Sequence, residues 1–333
     1  MSKKYKIFGA EMSPYSVKVR SYFRYKNIPY QWLQRMRHEE EFKRFARLPI
    51  IPLVVTPEEE GIQDSTPIIE RLEQIFPEPL IHPEDPTLAF LSALIEEYGD
   101  EWGNKIMYHH RWYAELDQLA TAHVLARDVI PDADGEAVEG LAKKVRDRMS
   151  GRGSFVGSSD ETAPLISGYL DRLFEILEPH FENRLYLFGD RPSFADFGLG
   201  LQVYEMALDP TAGAIIRARA PNVLKWVYRM TDPRNDGSFE NWPSLQPTLE
   251  PLLADAGTYF LPWSTANAKA LAADEEAFSV ELSGEAYVQP PQKYHARSLG
   301  VLRERYAANA DNSELNRILE ETGCLTYLQQ VTD

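Results

Sequence analysis

The sequence predicts an α/β domain followed by an all-α domain, with a further C-terminal stretch. Two observations carry this. The first eighty of the 333 residues alternate short apolar strands with helix patterns in the order β-α-β-α-β-β-α. Pro77, Pro79, Pro83 and Pro86 then form a stiff linker, and after it helical periodicity takes over.

Lys6-Ile7-Phe8-Gly9 reads as a short buried strand, and Glu11-Met12-Ser13 as a loop. Ser13-Pro14 is a helix start: a hydroxyl cap, then a proline in the first turn, where its missing N–H costs nothing. Val17, Val19, Arg20, Tyr22 and Phe23 continue that helix to Asn27. Pro29-Tyr30-Gln31-Trp32-Leu33 alternates as a second strand, and His38 to Ala46 is a charged helix with Phe42 and Phe45 on one side. Pro52 to Val55 is a third strand; proline belongs at a strand start because it has no ladder donor. Glu58-Glu59-Glu60-Gly61 turns into Ile62-Gln63, and Ser65 to Phe76 is a helix with Ile68, Ile69, Leu72 and Ile75 at core spacing. Beyond the linker, Leu88 to Asp117 has no breaker except Gly99 and Gly103. A Gly/Ser-rich piece follows at 151–159, then helices over Pro164–Phe181 and Pro221–Met230. Ser193-Phe194-Ala195-Asp196 has a capping-box spacing with Asp in place of Glu. From Asn241 the chain is richer in Pro and Trp; Ala286-Tyr287-Val288 suggests a strand-like arm and Leu299–Ala308 a terminal helix.

Composition narrows function by exclusion. With 35 basic and 51 acidic residues the net charge is −16, which argues against non-specific nucleic-acid binding and against an anionic membrane surface. No window approaches eighteen uninterrupted apolar residues, and Met1 to Tyr5 runs into a strand with no apolar leader, so neither a membrane span nor a signal segment is expected. Cys324 is the only cysteine; an intramolecular disulfide is impossible, and a reducing, cytoplasmic compartment fits.

The site-like features lie in the first domain. A proline at 52 leaves the backbone of Ile51 available to an extended peptide ligand. Asp64 and Ser65 open a helix, where N–H groups and the dipole favour a carboxylate. Together they outline a small site for an anionic peptide. His109-His110-Arg111 does not point to a metal: adjacent histidines diverge on a helix, with no further ligand at coordinating spacing.

Taken in order, Ser13-Pro14-Tyr15-Ser16, Ile51-Pro52, Asp64-Ser65 and the box at Ser193–Asp196 resemble the glutathione transferase superfamily. The resemblance implies a thioredoxin-like glutathione-binding domain over residues 1–80 and an all-helical domain over 87–240. Residues 241–333 are an extension that it does not cover. It implies a glutathione-dependent transferase with glutathione as substrate, an electrophilic small molecule as partner, and a homodimer. Ser13 matches the catalytic position, where a hydroxyl at a helix N-terminus stabilises a thiolate; the same geometry also serves a plain cap. Tyr15 and Ser16 are alternative donors. Ile51 with Pro52, the family's cis-proline, matches the backbone that holds the cysteinyl part, and Asp64 with Ser65 matches the pair that holds the γ-glutamyl end. Trp102, Tyr108 and Trp112 are candidate walls of a co-substrate pocket. The chain departs from the family just before Ile51: Arg47-Leu48-Pro49-Ile50 replaces the usual segment whose basic residue meets the glycyl carboxylate, leaving Arg35, Arg37 and Arg47 as substitutes. Two other classes stand beside the transferase: a non-catalytic interaction module on the same fold, and a glutathione-dependent lyase, ether-cleaving enzyme or isomerase.

Overall fold

A computed structural model describes residues 4–329. Met1 to Lys3, the start of the stretch expected to carry no apolar leader, and residues 330–333 lie outside the described residues.

A four-stranded sheet of order β2-β1-β3-β4 organises the N-terminal part: β1 Tyr5–Gly9, β2 Tyr30–Gln34, β3 Leu53–Val55 and β4 Gly61–Gln63. Strand β2 runs parallel to β1, whereas β3 and β4 are antiparallel to their neighbours. Because successive side chains alternate across a strand, Ile7 and Phe8 feed different cores. Ile7, Val54 and Ile62 join the main core with Phe23, Ile68 and Leu72 from helices α1 (Pro14–Tyr25) and α3 (Ser65–Glu73). Phe8, Leu33, Leu53 and Val55 pack against Phe42 of α2 (Glu39–Phe45) on the opposite face. The sheet register decides where the loops come together. Phe8 lies opposite Leu53, and Leu53 opposite Gln63. The Ser13 loop, the Ile51-Pro52 segment and Asp64 therefore all leave the sheet at one end, beside Gln34 of β2, which pairs with Gly9.

The helical part begins with α4 (Pro86–Glu97), a π-helical stretch over Tyr98–Gly103, and α5 (Asn104–Trp112). The uninterrupted helix expected to Asp117 instead changes pitch at residue 98 and breaks at Tyr113-Ala114. A Cβ on Gly99 would lie 2.4 Å from the Leu199 nitrogen, so this turn is packed backbone to backbone on its neighbour. An antiparallel pair, α6 (Glu115–Val129) and α7 (Gly135–Ser150), fills the stretch before the Gly/Ser-rich piece. Then come α8 (Ala163–His180), α9 (Phe194–Leu208), α10 (Pro210–Arg219) and α11 (Pro221–Arg229). The box at the head of α9 is real: Asp196 accepts from Ser193 N at 2.8 Å and Ser193 Oγ at 2.6 Å. It also accepts from Leu187 N and Trp226 Nε1, both at 2.8 Å, and burial raises its pKa to about 6. The expected structural role of Asp196 follows from these four donors.

The remainder folds as α12 (Trp242–Asp255), a second π-helical stretch (Ala256–Phe260), α13 (Leu261–Ala272), the hairpin β5–β6 (Phe278–Leu282, Glu285–Gln289), α14 (Lys293–Ala307), α15 (Ser313–Glu321) and α16 (Leu325–Leu328). The expected arm is thus the second half of a hairpin, and the expected terminal helix starts earlier and is followed by two more. Leu299, Leu302, Leu315 and Ile318 belong to the same continuous core as Ile7 and Leu94. Trp102 meets Tyr169, Tyr259, Trp263 and Tyr287 at ring separations of 5.1–6.2 Å. It is 1% exposed, so it is a core residue and not a pocket wall. No helix among the described residues is long and apolar enough to cross a membrane.

Candidate functional site

Ser13 is the N-cap of α1. Its Oγ accepts from Ser16 N at 3.3 Å and from Ser16 Oγ at 3.0 Å. A hydroxyl that accepts twice still has its own proton to give, and among the described residues nothing accepts it. The next donor is the Tyr15 N–H, which has no partner among the described residues, since Pro14 contributes none and the first helical bond is Val17 N to Ser13 O. The Tyr15 side chain points elsewhere: its hydroxyl donates to the Asp100 carbonyl at 2.8 Å, and burial together with Glu101 and Asp100 holds its pKa well above the phenolic range. The Tyr15 proton is committed to the protein.

The Ile51–Pro52 peptide is cis. Among the described residues neither the N–H nor the C=O of Ile51 has a partner. The preceding segment is held by one side chain. The Gln63 amide accepts from Arg47 N and Leu48 N at 2.8 and 3.0 Å and donates to Leu48 O and Ile50 O at 2.8 and 2.9 Å. None of Arg35, Arg37 and Arg47 is paired with a carboxylate among the described residues. Arg35 follows the end of β2, stacks over Phe42 at 4.8 Å, and has a buried Nε with no partner.

Asp64 sits at φ 81°, ψ 129°, outside the left-handed helical well that Asp tolerates, so its backbone is strained. That conformation turns its carboxylate away from α3, which it does not cap. The N–H groups of Ser65 and Thr66 consequently find no acceptor among the described residues; the first bonded N–H is Ile68, to Asp64 O at 3.0 Å. Ser65 Oγ reaches Asp100 Oδ2 at 3.4 Å, the long end of hydrogen-bond range and so a weak hold.

Residues without a motif complete the corner. Lys18 is buried on α1 between Glu96 and Asp100, 2.5 Å from the latter, and Thr66 Oγ1 donates to Glu96 at 2.7 Å. Burial alone would lower the Lys18 pKa, but Asp100 and Glu96 hold it above its ordinary value. Burial raises Asp100 and takes Glu96 to about 7, with Lys18 opposing in both cases. Tyr294, at the head of α14, donates to Asp64 Oδ1 at 2.9 Å, and His295 Nδ1 pairs with Glu101. Burial raises the Asp64 pKa, opposed by the Tyr294 hydrogen bond and by Lys18. A lysine between Val17 and Val19, and four carboxylates in an otherwise apolar helix, were the sequence signals for this cluster; Tyr294 and His295 had none.

Behind the Ser13 loop, Arg111 is fully sequestered. It bonds Glu205 at 2.8 Å and Asp209 at 2.9 Å, and its Nη1 donates to Met12 O at 2.9 Å. Tyr108 and Trp112 lie on the side of α5 that packs against α6 and α7. With Tyr113, Gln118 and Ser158 they line a cavity of about 220 Å³. His109 bonds Ser158 Oγ at 2.7 Å and stacks on Tyr113; burial lowers it to about 4.

Residues 7–80 match the family model described as glutathione S-transferase, N-terminal domain, and residues 159–232 that of the C-terminal domain. No curated protein matches the sequence. Among solved structures, the chain is similar to the beta-etherase LigF from Sphingobium sp. strain SYK-6, with TM-score 0.49 and 18% identity over 75% of this chain and 99% of that one. It is similar to a glutathione S-transferase from Rhodospirillum rubrum, with TM-score 0.44 and 19% identity over 74% and 91%. A third is a glutathione S-transferase from Methylobacterium radiotolerans in complex with glutathione sulfonate, with TM-score 0.40 and 20% identity over 74% and 94%.

Proposed function

Because this chain belongs to the glutathione S-transferase superfamily, we propose that it is a glutathione-dependent transferase acting on a small electrophile. The observation that carries the reading is the set of unpartnered groups at one end of the sheet: the Ser13 proton, the Tyr15 N–H, both backbone groups of Ile51, and the N–H groups of Ser65 and Thr66. Buried or half-buried backbone groups are normally satisfied, and an extended tripeptide with a carboxylate at its γ-glutamyl end would satisfy these. Its cysteinyl unit pairs with Ile51. Its α-carboxylate takes the Ser65 and Thr66 N–H groups and displaces the weak Ser65–Asp100 contact. Its ammonium takes the free oxygen of Asp64. The orphaned Nε supports Arg35 as the partner of the glycyl carboxylate.

In this pose the thiol sits at Ser13. The hydroxyl and the start of α1 stabilise the thiolate, which attacks the electrophile while the displaced group leaves with its electron pair. The cavity lined by Tyr108 and Trp112 is the candidate place for the co-substrate. A homodimer, expected from the resemblance, and a cytoplasmic location, expected from the single cysteine, belong to the same proposal; sedimentation at the mass of two chains is the expected result for the dimer.

The interaction-module reading is favoured by one observation: Asp64 and Ser65 already have partners within the chain, Tyr294 and Asp100. Turnover of an aryl halide with glutathione, by wild type and by Ser13→Ala, tests both. Loss of turnover with glutathione binding kept supports the transferase; no turnover by wild type over a broad panel of electrophiles, ethers and isomerisable substrates supports the module.

A further inference from the structure

Helix α14 lies along the edge formed by α3, the π-helical stretch and α4. Tyr294 meets Asp64, His295 meets Glu101, Ser298 Oγ donates to Glu97 at 2.6 Å, Arg305 pairs with Glu70, and Asn312 of the following turn donates to Thr87 at 3.0 Å. The head of this helix therefore stands at the junction of β4 and α3. Tyr294 is tied there by its hydroxyl, with an edge contact of its ring to His295 at 6.3 Å. Its side chain is not part of the core, and the residue keeps 45% of its surface exposed.

Resting on the reading of Asp64 as the acceptor for a γ-glutamyl ammonium, we propose that Tyr294 is a positioning and specificity-determining residue of the glutathione site. The hydroxyl holds Oδ1 of Asp64, while Oδ2 has no donor among the described residues. One carboxylate oxygen is thus fixed by the extension and the other is presented to the ligand. A carboxylate only accepts, so it favours a group with three N–H donors and a positive charge. An N-acyl group carries one N–H and no charge, and adds bulk on the side where the Tyr294 ring stands. The ligand class is a γ-glutamyl peptide with a free amino end; N-acylated analogues are rejected. The extension, which neither matched domain covers, supplies this selectivity.

The test is calorimetric titration of the full chain with reduced glutathione and with N-acetylglutathione. The proteins are wild type, Tyr294→Phe, Tyr294→Ala, Asp64→Asn and the Tyr294→Phe/Asp64→Asn pair, with Val301→Ala on the exposed side of α14 as control. Wild type is expected to prefer glutathione by at least about tenfold, a lost ion pair and its hydrogen bonds. Tyr294→Phe is expected to weaken glutathione roughly 5- to 10-fold in the wild-type background and not at all beside Asp64→Asn, because it acts through that carboxylate. Tyr294→Ala shrinks the preference to under about threefold; if it does not fold, the Phe variant carries the test. Glutathione binding by wild type that both Tyr294 variants leave unchanged, or losses that add fully in the Asp64→Asn background, overturns the proposal alone. No binding by wild type overturns the reading of the site, and this proposal with it.

Discussion

Ser13 shows how much one hydroxyl is asked to do. Its oxygen is spent on Ser16, so its proton alone faces outward. A charge-assisted hydrogen bond of that kind contributes about 1.5 kcal/mol, or about one pKa unit of the bound thiol. Ser13→Ala is therefore expected to raise the pKa of bound glutathione by about one unit, followed by thiolate absorbance against pH. The sign is fixed: turnover falls most below the thiol pKa and recovers at alkaline pH, where the thiol ionises without help. A pH-independent loss would assign Ser13 to folding. Arg111 belongs to the same scale. Its partners Glu205 and Asp209 are buried, and its hand on Met12 O sets the loop that carries Ser13. Arg111→Met leaves two buried carboxylates unpaired and should cost about 3–5 kcal/mol in urea unfolding.

At the scale of elements, the strands and helices that carry the sheet-end site were legible in the sequence. Ser13-Pro14 and the alternation in Tyr30–Leu33 state their structure within a few residues, and so does the box at Ser193–Asp196. The π-helical stretch at Tyr98–Gly103 was not legible. Its pitch is set by a packing constraint, Gly99 against Leu199, that lies outside any window of local periodicity. Yet it is this stretch that brings Asp100 to Ser65 and its carbonyl to Tyr15. Nor was Tyr294 at Asp64 legible: a contact across 230 positions leaves no local pattern. Two substitutions test these elements by thermal or urea unfolding. Asp196→Ala strands four buried donors and should cost about 3–5 kcal/mol. Gly99→Ala should cost at least about 2 kcal/mol, because the added methyl runs into the Gly198–Leu199 backbone of α9.

The largest core of the molecule runs from Ile7 to Leu328, with smaller clusters around Phe42 and Trp112. The C-terminal stretch is part of that core, and truncation after residue 240 should abolish cooperative unfolding by exposing Tyr98 and Trp102. Acid sensitivity is a second whole-molecule property. Burial lowers His82, His109, His110 and His180 to about 4. A depressed folded-state pKa gives stability that is present above the ordinary value near 6.5 and is lost as pH falls toward 4. For His180, which is fully buried and bonded to Thr248 and Leu187 O, the loss between pH 7 and pH 5 is about 2 kcal/mol. His180→Gln should reduce the pH 7-to-5 difference in urea unfolding by that amount; an unchanged difference would show that His180 does not titrate in this range.

The proposed chemistry requires a tripeptide at the end of the sheet. Calorimetric titration with reduced glutathione, for wild type and Ser65→Ala, measures that directly. Saturable binding in the micromolar-to-millimolar range is expected, weakened a few-fold by the loss of the Ser65 hydroxyl. No heat of binding at millimolar glutathione would contradict it.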